Sequence, residues 1–535
     1  MDRFAQVRTM FIPTLISLSM LSSEIPAPPA SVYAKRLSDW RNGAVVYHVF
    51  VDRFAPALNL DSKREMYASP RKLKRWDELP TPGTLNVQAG MWSHELEFWG
   101  GDLPSLRSKL GHIVELGADV LYLNPIQEAI SNHKYDATDW KKIDPAYGSE
   151  ADFKGLISDL KGRGKRLVID GVFNHVGRRN VIFQQALKDE KSPYRDWFVF
   201  GKEYPNGYRG WAGVANLPEV RLENPQVQDY VWNRSDSVVA HFLNMGVDGW
   251  RLDVASELGF DLTAKLTKAA HKHKPGSLVT GEAWTYPSKW TGSMDALMNI
   301  YLGQLLLMFG KGELTSRQLG IGMTEMVQDV GLEPLLKSWI VLSNHDMPRL
   351  ANVLPQDDLR RMVTALQFTL PGSPQVYYGD EVAMLGGGDP SNRAPMRWDL
   401  VQSQSGAAGS ELTWTKSLIK LNHDSRALKV GDYRTLVSDH LFAFKRSTDN
   451  PLETVVVVAN PTATPITETV LLAEPTLLGY TLLQDQLTMK SQVRVISGTI
   501  RPTVPPRTVQ VYKVMKEGGQ YPAQYKRIRT DGGGH

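Results

Sequence analysis

The stretch SEADFKGLISDLKGRGKRLVIDGVFNH, residues 149–175, shows the structural unit from which the architecture can be inferred. Its first half carries apolar residues at helical spacing: Phe153, Leu156, Ile157 and Leu160. Ser149 precedes them and is of a type that caps helix N-termini. Its second half contains the apolar run Arg166–Asp170, which predicts a buried strand. The stretch therefore predicts a helix followed by a strand.

The same alternation of helix and strand extends over most of the chain. Other runs of strand type are Val45–Val49, Asp119–Leu123, Val247–Val254, Leu278–Glu282, Ala296–Ile300, Trp339–Ser343 and Gln375–Tyr378. Between the first two of them, Asp102–Gly117 has helical spacing and ends at a glycine. Repeated βα units make the strands parallel, and eight of them fit a closed (β/α)8 TIM barrel over residues 35–428. An open doubly wound sheet is the alternative.

Two segments depart from this alternation. Residues 174–225, after the third strand, are polar and aromatic with no clear helix, and a connection this long predicts a small inserted domain. Residues 429–516 alternate short strands with turn clusters, which predicts a C-terminal antiparallel β-sandwich. Residues 517–535 are Gly-rich and basic, and we expect a disordered tail.

The N-terminus resembles a secretory signal. Arg3 and Arg8 flank the start of an apolar run, Met10–Leu21, and small residues precede a cleavage position after Ala34. The run has about 12 residues, against roughly 20 for a membrane span. We therefore expect residues 1–34 to be a signal peptide and the protein to be secreted or periplasmic, without a membrane span when mature. A cytoplasmic protein with an N-terminal extension is the alternative.

Composition excludes several classes of protein. Of the 535 residues, 42% are hydrophobic and 22% charged, so the chain is globular rather than disordered. Its 61 basic and 57 acidic residues leave a net charge of +4, too small a surplus to imply nucleic-acid binding. The absence of cysteine excludes disulfides, thiolate metal sites and cysteine nucleophiles.

Carboxylates stand at the ends of four of the predicted strands, where barrel enzymes place their catalytic groups: Asp170, Asp253, Glu282 and Asp346. Two carboxyl groups that flank a bond can cleave a glycoside, and a third raises the pKa of the acid. Arg251 lies two residues before Asp253, so both side chains point the same way, and we expect the guanidinium to keep Asp253 ionised.

Aromatic residues near these strand ends are candidates for stacking on sugar rings. They are Trp284, Tyr135, Trp211 and Trp99.

Four ordered segments resemble the best-known motifs of glycoside hydrolase family 13, the α-amylase family. They are DGVFNH (170–175), GWRLDVASE (249–257), GEAW (281–284) and SNHD (343–346). Supporting segments are VYHVFVDRF, FWGGDLPSLRSKL, LYLNPI, HKYDATDW and GDPSNRAPMRWD. The resemblance extends from about Val45 to Val514.

The resemblance implies roles for individual residues. Asp253 resembles the nucleophile, Glu282 the general acid and base, and Asp346 the third carboxylate, which binds sugar hydroxyls. Arg251 resembles the arginine that orients the nucleophile. The remaining substrate-binding residues that it implies are His133, Tyr135, His175, Trp284, His345, Asp389 and Arg393.

Two positions bear on specificity and on metal binding. Glu257 stands where many α-amylases have histidine, and this glutamate resembles the neopullulanase and cyclomaltodextrinase branch. Asn174 resembles a calcium ligand of the family, whereas the run APALNL after Phe54 lacks the oxygen-rich residues of a second calcium site. The resemblance implies no organic cofactor.

The function expected from the resemblance is a retaining α-glucan hydrolase. It would cleave α-1,4 bonds in starch, maltooligosaccharides or cyclodextrins, with α-1,6 bonds as a further target. The alternatives are a transglycosylase or disaccharide isomerase on the same scaffold and a non-enzymatic carbohydrate-binding relative. The presence of all three carboxylates disfavours the last of these.

Overall fold

The computed structural model describes residues 31–86 and 90–515. Eight parallel strands close into a barrel, which confirms the TIM-barrel prediction and excludes the open sheet. The strands are β1 Val46–Val49, β2 Val120–Leu123, β3 Arg166–Gly171, β4 Gly249–Leu252, β5 Leu278–Ala283, β6 Ala296–Asn299, β7 Trp339–Val341 and β8 Ser373–Tyr377. Each strand pairs with its neighbours in chain order, and β8 pairs with β1.

The register of the central strands aligns the residues of the predicted site. Arg251 on β4 lies beside Asp170 on β3, and Leu252 lies beside Gly281 on β5. Asp253 and Glu282 each follow one residue later, so they meet at the carboxyl end of the barrel. The strands are apolar runs buried on both faces, as parallel barrel strands must be.

Helices surround the barrel and connect most of its strands. They are Val32–Ser38, Val51–Phe54, Leu103–Ser108, Leu110–Leu116, Glu150–Gly162, Val181–Lys188, Pro225–Gln228, Val238–Met245, Ala255–His273, Ile300–Lys311, Ser316–Val330, Leu332–Lys337, Leu350–Val353, Asp357–Thr369, Trp398–Gln404, Glu411–His423 and Arg426–Val430. Ser149 caps the helix that the sequence predicted there, because its Oγ accepts the Asp152 N–H at 3.2 Å.

Two helix predictions need correction. The helix predicted over Asp102–Gly117 is two helices that meet at Lys109, although Asp102 caps its start and Gly117 ends it as expected. Between β5 and β6 the chain forms only a short 3-10 turn, Trp290–Gly292, so the expectation of helices between all the strands is wrong there. Pro287 and Gly292 in this connection disfavour a longer helix.

The inserted segment after β3 contains a helix that the sequence analysis missed. Helix Val181–Lys188 begins at Asn180, whose Oδ1 accepts the backbone N–H groups of Ile182 and Phe183 at 3.0 and 3.1 Å. With eight residues it is too short for a clear helical period among its polar and aromatic neighbours. An isolated bridge between His175 and Glu219 brings the end of the segment back to the barrel.

The C-terminal region forms the antiparallel sheet that the sequence predicted. Its strands are β9 Asp432–Thr435, β10 Phe442–Ser447, β11 Val455–Asn460, β12 Leu482–Asp485, β13 Gln492–Arg494 and β14 Thr508–Val514, in the spatial order β9-β10-β11-β14-β12-β13. One face packs on the barrel helices through residues such as Phe444 and Val457. The other face packs, through Val456 and Val458, against two short two-stranded sheets, which gives a sandwich.

The predicted signal peptide and tail lie almost entirely outside the described residues. The exception is the cleavage position predicted after Ala34, which falls within helix Val32–Ser38. This helix contacts the C-terminal region, since Tyr33 Oη donates to Asp432 Oδ2 at 2.6 Å. Across residues 31–86 and 90–515, no helix combines the length and the apolar character that a membrane crossing requires.

Candidate active site

The carboxyl ends of the barrel strands open into a cleft of about 870 Å³. Its walls come from the barrel loops, the inserted segment, Leu85 and residues 90–95. Twelve of the residues singled out in the sequence line it: His133, Tyr135, His175, Trp211, Asp253, Glu257, Glu282, Trp284, His345, Asp346, Asp389 and Arg393. The tertiary structure therefore brings together residues that are up to 260 positions apart in the chain.

Four of the sequence candidates do not line the cleft: Asp170, Arg251, Asn174 and Trp99. Arg251 lies beneath it, fully buried, and Asn174 is buried behind His175. Trp99 is also buried, with the guanidinium of Arg53 3.9 Å from its ring centre, so the expectation that Trp99 could stack on a sugar is wrong. The fourth aromatic candidate, Trp211, does line the cleft.

Arg251 links the two carboxylates at the centre of the cleft. Its Nη1 donates to Asp253 Oδ1 at 2.9 Å, and its Nη2 lies 2.9 Å from Glu282 Oε2. The first contact confirms that residues two apart on β4 point the same way. One guanidinium thus holds both carboxyl groups at adjacent strand ends.

The charges around Asp253 change the expectation for its ionisation. Burial raises the pKa of Asp253 well above its ordinary value, and the carboxylates of Glu282, Asp170 and Asp346 raise it further. Arg251 opposes this shift without reversing it. Arg251 therefore favours the ionised form of Asp253, as expected, but burial and the neighbouring carboxylates outweigh its effect on the pKa.

Asp170, one of the four strand-end carboxylates of the sequence analysis, is a buried acceptor beneath the cleft. It accepts hydrogen bonds from Arg251 Nη1 at 2.9 Å, Tyr122 Oη at 2.7 Å and Tyr135 Oη at 2.8 Å. Burial raises the pKa of Asp170, while these three donors lower it. Asp170 therefore fixes the orientation of Arg251 and of Tyr135. Its position at a strand end marked it as a candidate, but the sequence did not show that it supports Arg251 and Tyr135 from beneath the cleft.

A second set of contacts surrounds Asp346. Arg393 Nη2 donates to Asp346 Oδ1 at 3.0 Å, and Arg393 Nη1 lies 3.2 Å from Asp389 Oδ2. His345 Nε2 lies 3.1 Å from Asp346 Oδ2 and 2.7 Å from Tyr135 Oη. The carboxylate of Asp346 is therefore held between Arg393 and His345.

Glu282 is oriented from the opposite side by two donors. Trp284 Nε1 donates to Glu282 Oε1 at 2.9 Å, and the Val254 N–H donates to Oε2 at 3.0 Å. Val254 can present this N–H because its backbone is left-handed, with φ 40° and ψ 45°. A side chain at Gly281 would lie 2.8 Å from the Ala255 side chain, so a glycine is required for this close approach. Nothing in the sequence indicates that Val254 has this left-handed backbone.

Two of the cleft histidines, His175 and His345, are neutral bases rather than cations. Burial, aided by His133, lowers the pKa of His175 to about 3. Burial, aided by Arg393 and Arg251, also lowers the pKa of His345 well below its ordinary value. His175 stacks on Trp211 with ring centres 5.3 Å apart. A neutral imidazole is suited to binding hydroxyl groups.

We expect His175→Gln to reduce the sensitivity of the fold to acid. In the unfolded chain the pKa of His175 is about 6.5, so as the pH falls from 6.5 towards 3 the unfolded state takes up a proton that the folded state does not. The contribution of His175 to the free energy of unfolding is therefore complete above pH 6.5. It is lost as the pH falls below this value, by about 2 kcal/mol at pH 5. Urea unfolding at pH 7.5 and pH 5 should show a smaller loss for the variant than for the wild type. Equal losses in the two proteins would contradict this assignment.

Several residues of the cleft were not found from the sequence motifs. They are Leu85, Met91, Trp92, Glu95, Arg178, Val214, Ala215, Asn216, Leu217, Val254 and Ser256. Most lie in the inserted segment or in the stretch before the FWGGDL motif. These segments carry no regular pattern, so only folding reveals which of their side chains face the cleft.

Glu257 and Asn174 differ in their surroundings. Glu257 is exposed in the first turn of helix Ala255–His273 and lines the cleft. Asn174 is buried, and its Nδ2 lies 3.5 Å from His175 Nδ1. In the described part of the chain, no three His, Asp or Glu side chains are grouped so as to hold a metal ion. Calcium binding at Asn174 stays a prediction.

Comparison with known families matches residues 48–449 to the α-amylase catalytic domain. Neopullulanase 2 of Thermoactinomyces vulgaris is 31% identical over 460 residues, which cover 83% of this chain and 73% of that protein. A cyclomaltodextrinase of Geobacillus thermopakistaniensis is 32% identical over 442 residues, covering 79% of this chain and 69% of that protein.

A solved structure of similar architecture is the cyclic α-maltosyl-(1→6)-maltose hydrolase of Arthrobacter globiformis. It superposes with a TM-score of 0.74 at 27% sequence identity, and the match covers 89% of this chain and 100% of that one. The similarity therefore includes both the barrel and the C-terminal sheet.

Proposed function

Because this chain belongs to the α-amylase family of glycoside hydrolases, we propose that it cleaves α-1,4-glucosidic bonds with retention of configuration. The substrates are starch, maltooligosaccharides or cyclodextrins, and α-1,6 bonds are a further target. The observation that carries the proposal is the contact of Arg251 with both Asp253 and Glu282. One guanidinium keeps the two carboxyl groups close, as retaining glycosidases require.

In the proposed reaction Asp253 attacks the anomeric carbon and forms a covalent glycosyl-enzyme intermediate. Glu282 protonates the departing glycosidic oxygen and then, as a base, takes the proton of the attacking water. The reaction needs Asp253 as a carboxylate and Glu282 as a carboxylic acid at the start, and Arg251, which contacts Asp253, lowers the pKa of Asp253 against the effect of burial. As Glu282 gives up its proton, Arg251 balances the new charge.

Asp346 and the neutral histidines bind the donor sugar in this proposal. Asp346, held by Arg393, accepts hydrogen bonds from sugar hydroxyls, and His175 and His345 share this binding. Trp284 exposes half of its surface to the cleft beside Glu282, so it can stack on the leaving sugar. Transfer to a sugar in place of water would use the same groups.

The relatives favour the neopullulanase and cyclomaltodextrinase branch. The test is incubation of the purified protein with starch, pullulan and cyclodextrins, with products resolved over time. Rapid cleavage of cyclodextrin and pullulan and slow attack on starch is the expected result. Fast attack on starch with mixed oligosaccharides would instead make it an ordinary α-amylase. If none of the three is cleaved, the hydrolase proposal fails and transfer or isomerisation of disaccharides takes its place.

We expect Glu257→His to change the product profile in the same assay without unfolding the protein. Glu257 is exposed and lines the cleft, so the substitution changes a charge facing the substrate but no buried contact. The ratio of pullulan to cyclodextrin cleavage, or of hydrolysis to transfer, should shift by a few fold, as expected for one changed contact. An unchanged profile would remove Glu257 as a specificity residue.

For localisation we propose export, on the basis of the charge and hydropathy pattern of residues 1–34. The N-terminal residue of the mature protein, determined from the secreted fraction, tests this proposal.

A further inference from the structure

Trp92 is a large aromatic side chain at the rim of the cleft that the proposed reaction does not use. It lines the cleft, and 50% of its surface is exposed. Exposure of an indole ring to water is unfavourable, and its flat apolar face matches the face of a sugar ring. The ring is therefore available to a substrate that extends along the cleft.

The backbone under Trp92 is held rigidly. Leu85 pairs with Trp92 in a two-stranded antiparallel sheet. The Trp92 N–H donates to Glu95 Oε2 at 3.0 Å, and the Nδ2 of Asn132 donates to the His94 carbonyl at 2.8 Å. A ring carried on such a support loses little conformational freedom when it binds a ligand.

Contacts of Trp92's neighbours lead to the sugar-binding side of the site. Glu95 Oε1 lies 3.7 Å from His133 Nε2. His94, which stacks beside the Trp92 ring at 6.3 Å, has its Nε2 4.0 Å from Asp389 Oδ2. Asp389 in turn contacts Arg393, the partner of Asp346.

The position of the general acid shows which side of the cleaved bond faces Trp92 and its neighbours His94 and Glu95. Glu282 protonates the leaving sugar, and its hydrogen-bond partner Trp284 therefore flanks that sugar. The contacts around Trp92 join it instead to Asp389 and His133. Asp389 and His133 lie on the side of the donor sugar, the unit that carries the anomeric carbon of the cleaved bond.

We propose that Trp92 is a binding residue of a distal donor subsite, held in place by Glu95 and His94. The subsite takes the third or a later glucose unit on the non-reducing side of the cleaved bond of an α-glucan. The proposal rests on the hydrolase function proposed above. Its consequence is that chains with several donor sugars are bound more tightly than short ones.

The test compares the wild type, Trp92→Ala and Trp92→Phe on maltotriose and on maltoheptaose labelled at its reducing end. We expect Trp92→Ala to lower the ratio of kcat/KM for maltoheptaose to that for maltotriose on the order of tenfold, through KM rather than kcat. The labelled products should shift, because cleavage moves towards the non-reducing end when a distal donor unit is no longer held. Trp92→Phe should keep most of the wild-type ratio.

Tyr480→Ala is the matched control, because Tyr480 is an equally exposed aromatic residue in the C-terminal region. It should leave both the ratio and the cleavage pattern unchanged. The proposal is overturned if Trp92→Ala has no effect, slows both substrates equally, or moves cleavage towards the reducing end. A wild type that cleaves no maltooligosaccharide would refute the hydrolase function itself, whereas an active wild type with an indifferent Trp92→Ala refutes the subsite alone.

Discussion

Asp253→Asn is expected to lower kcat on cyclodextrin or maltoheptaose by about 10⁴-fold or more, in line with the loss of a covalent nucleophile. An amide cannot form the glycosyl-enzyme intermediate, whereas its shape and its hydrogen bond to Arg251 can be kept. We expect Asp253→Asn to retain the fold. Burial and the nearby carboxylates raise the pKa of Asp253, so a neutral side chain relieves repulsion. Thermal unfolding should occur at an equal or higher temperature than in the wild type.

Asp380→Asn is the control for this substitution. Asp380 is also a buried carboxylate that follows a barrel strand, but it lies outside the cleft and pairs with Arg349. We expect this variant to keep turnover within a few fold. Near wild-type activity of Asp253→Asn would remove Asp253 from the nucleophile role. A loss of both activity and folded structure in the two variants alike would point to a general structural effect.

Arg251→Met is expected to lower the free energy of unfolding by about 3–5 kcal/mol near pH 7, the usual cost of breaking a buried ion pair from one side. Methionine fills much of the volume, so the loss comes from charge. Asp170, Asp253 and Glu282 would be left buried around a neutral side chain. Activity should also be lost, because Asp253 and Glu282, the proposed catalytic pair, are no longer held together.

The pH dependence of this variant separates charge from packing. Without Arg251, the folded-state pKa values of Asp170 and Asp253, already raised by burial, rise further above their unfolded value near 3.9. The folded state of the variant then binds more protons than the unfolded state at low pH, which stabilises the fold there. This stabilisation is lost as the pH rises. Urea unfolding should therefore show a smaller deficit at pH 5 than at pH 7. An equal deficit at both values would assign the effect to packing. Arg251→Lys, which keeps a charge, should be destabilised less.

The barrel was predictable because its strands leave a strong local signal. A parallel strand buried on both faces is an apolar run, and the run Leu278–Glu282 matches β5 within one residue. The prediction for β4, Val247–Val254, was too long because a valine lies two residues beyond each end of the strand, Val247 and Val254. Helix Val181–Lys188 was missed because eight residues among aromatic neighbours show no clear period.

The candidate site divides in the same way. The carboxylates were found because parallel strands all end at one edge of the barrel. An Asp or Glu that follows such a strand must therefore lie at that edge, where the cleft opens. The ionisation of Asp253 was not predictable, because it depends on burial and on carboxylates contributed by three other strand ends. Trp92 and the N–H of Val254 were missed because nothing in their local sequence indicates what they face.

By itself the sequence predicted the closed barrel and the C-terminal sheet, and through its resemblance to a family it pointed to the residues that could cleave a glycosidic bond. Periodicity and motifs are local properties of the chain, whereas the pairing of the last barrel strand with the first, which excludes an open sheet, is not. Only the tertiary structure decided that Arg251 joins Asp253 to Glu282, that Trp99 is buried and that Trp92 faces the cleft. These outcomes depend on distances between segments far apart in the chain, and such distances exist only once the chain has folded.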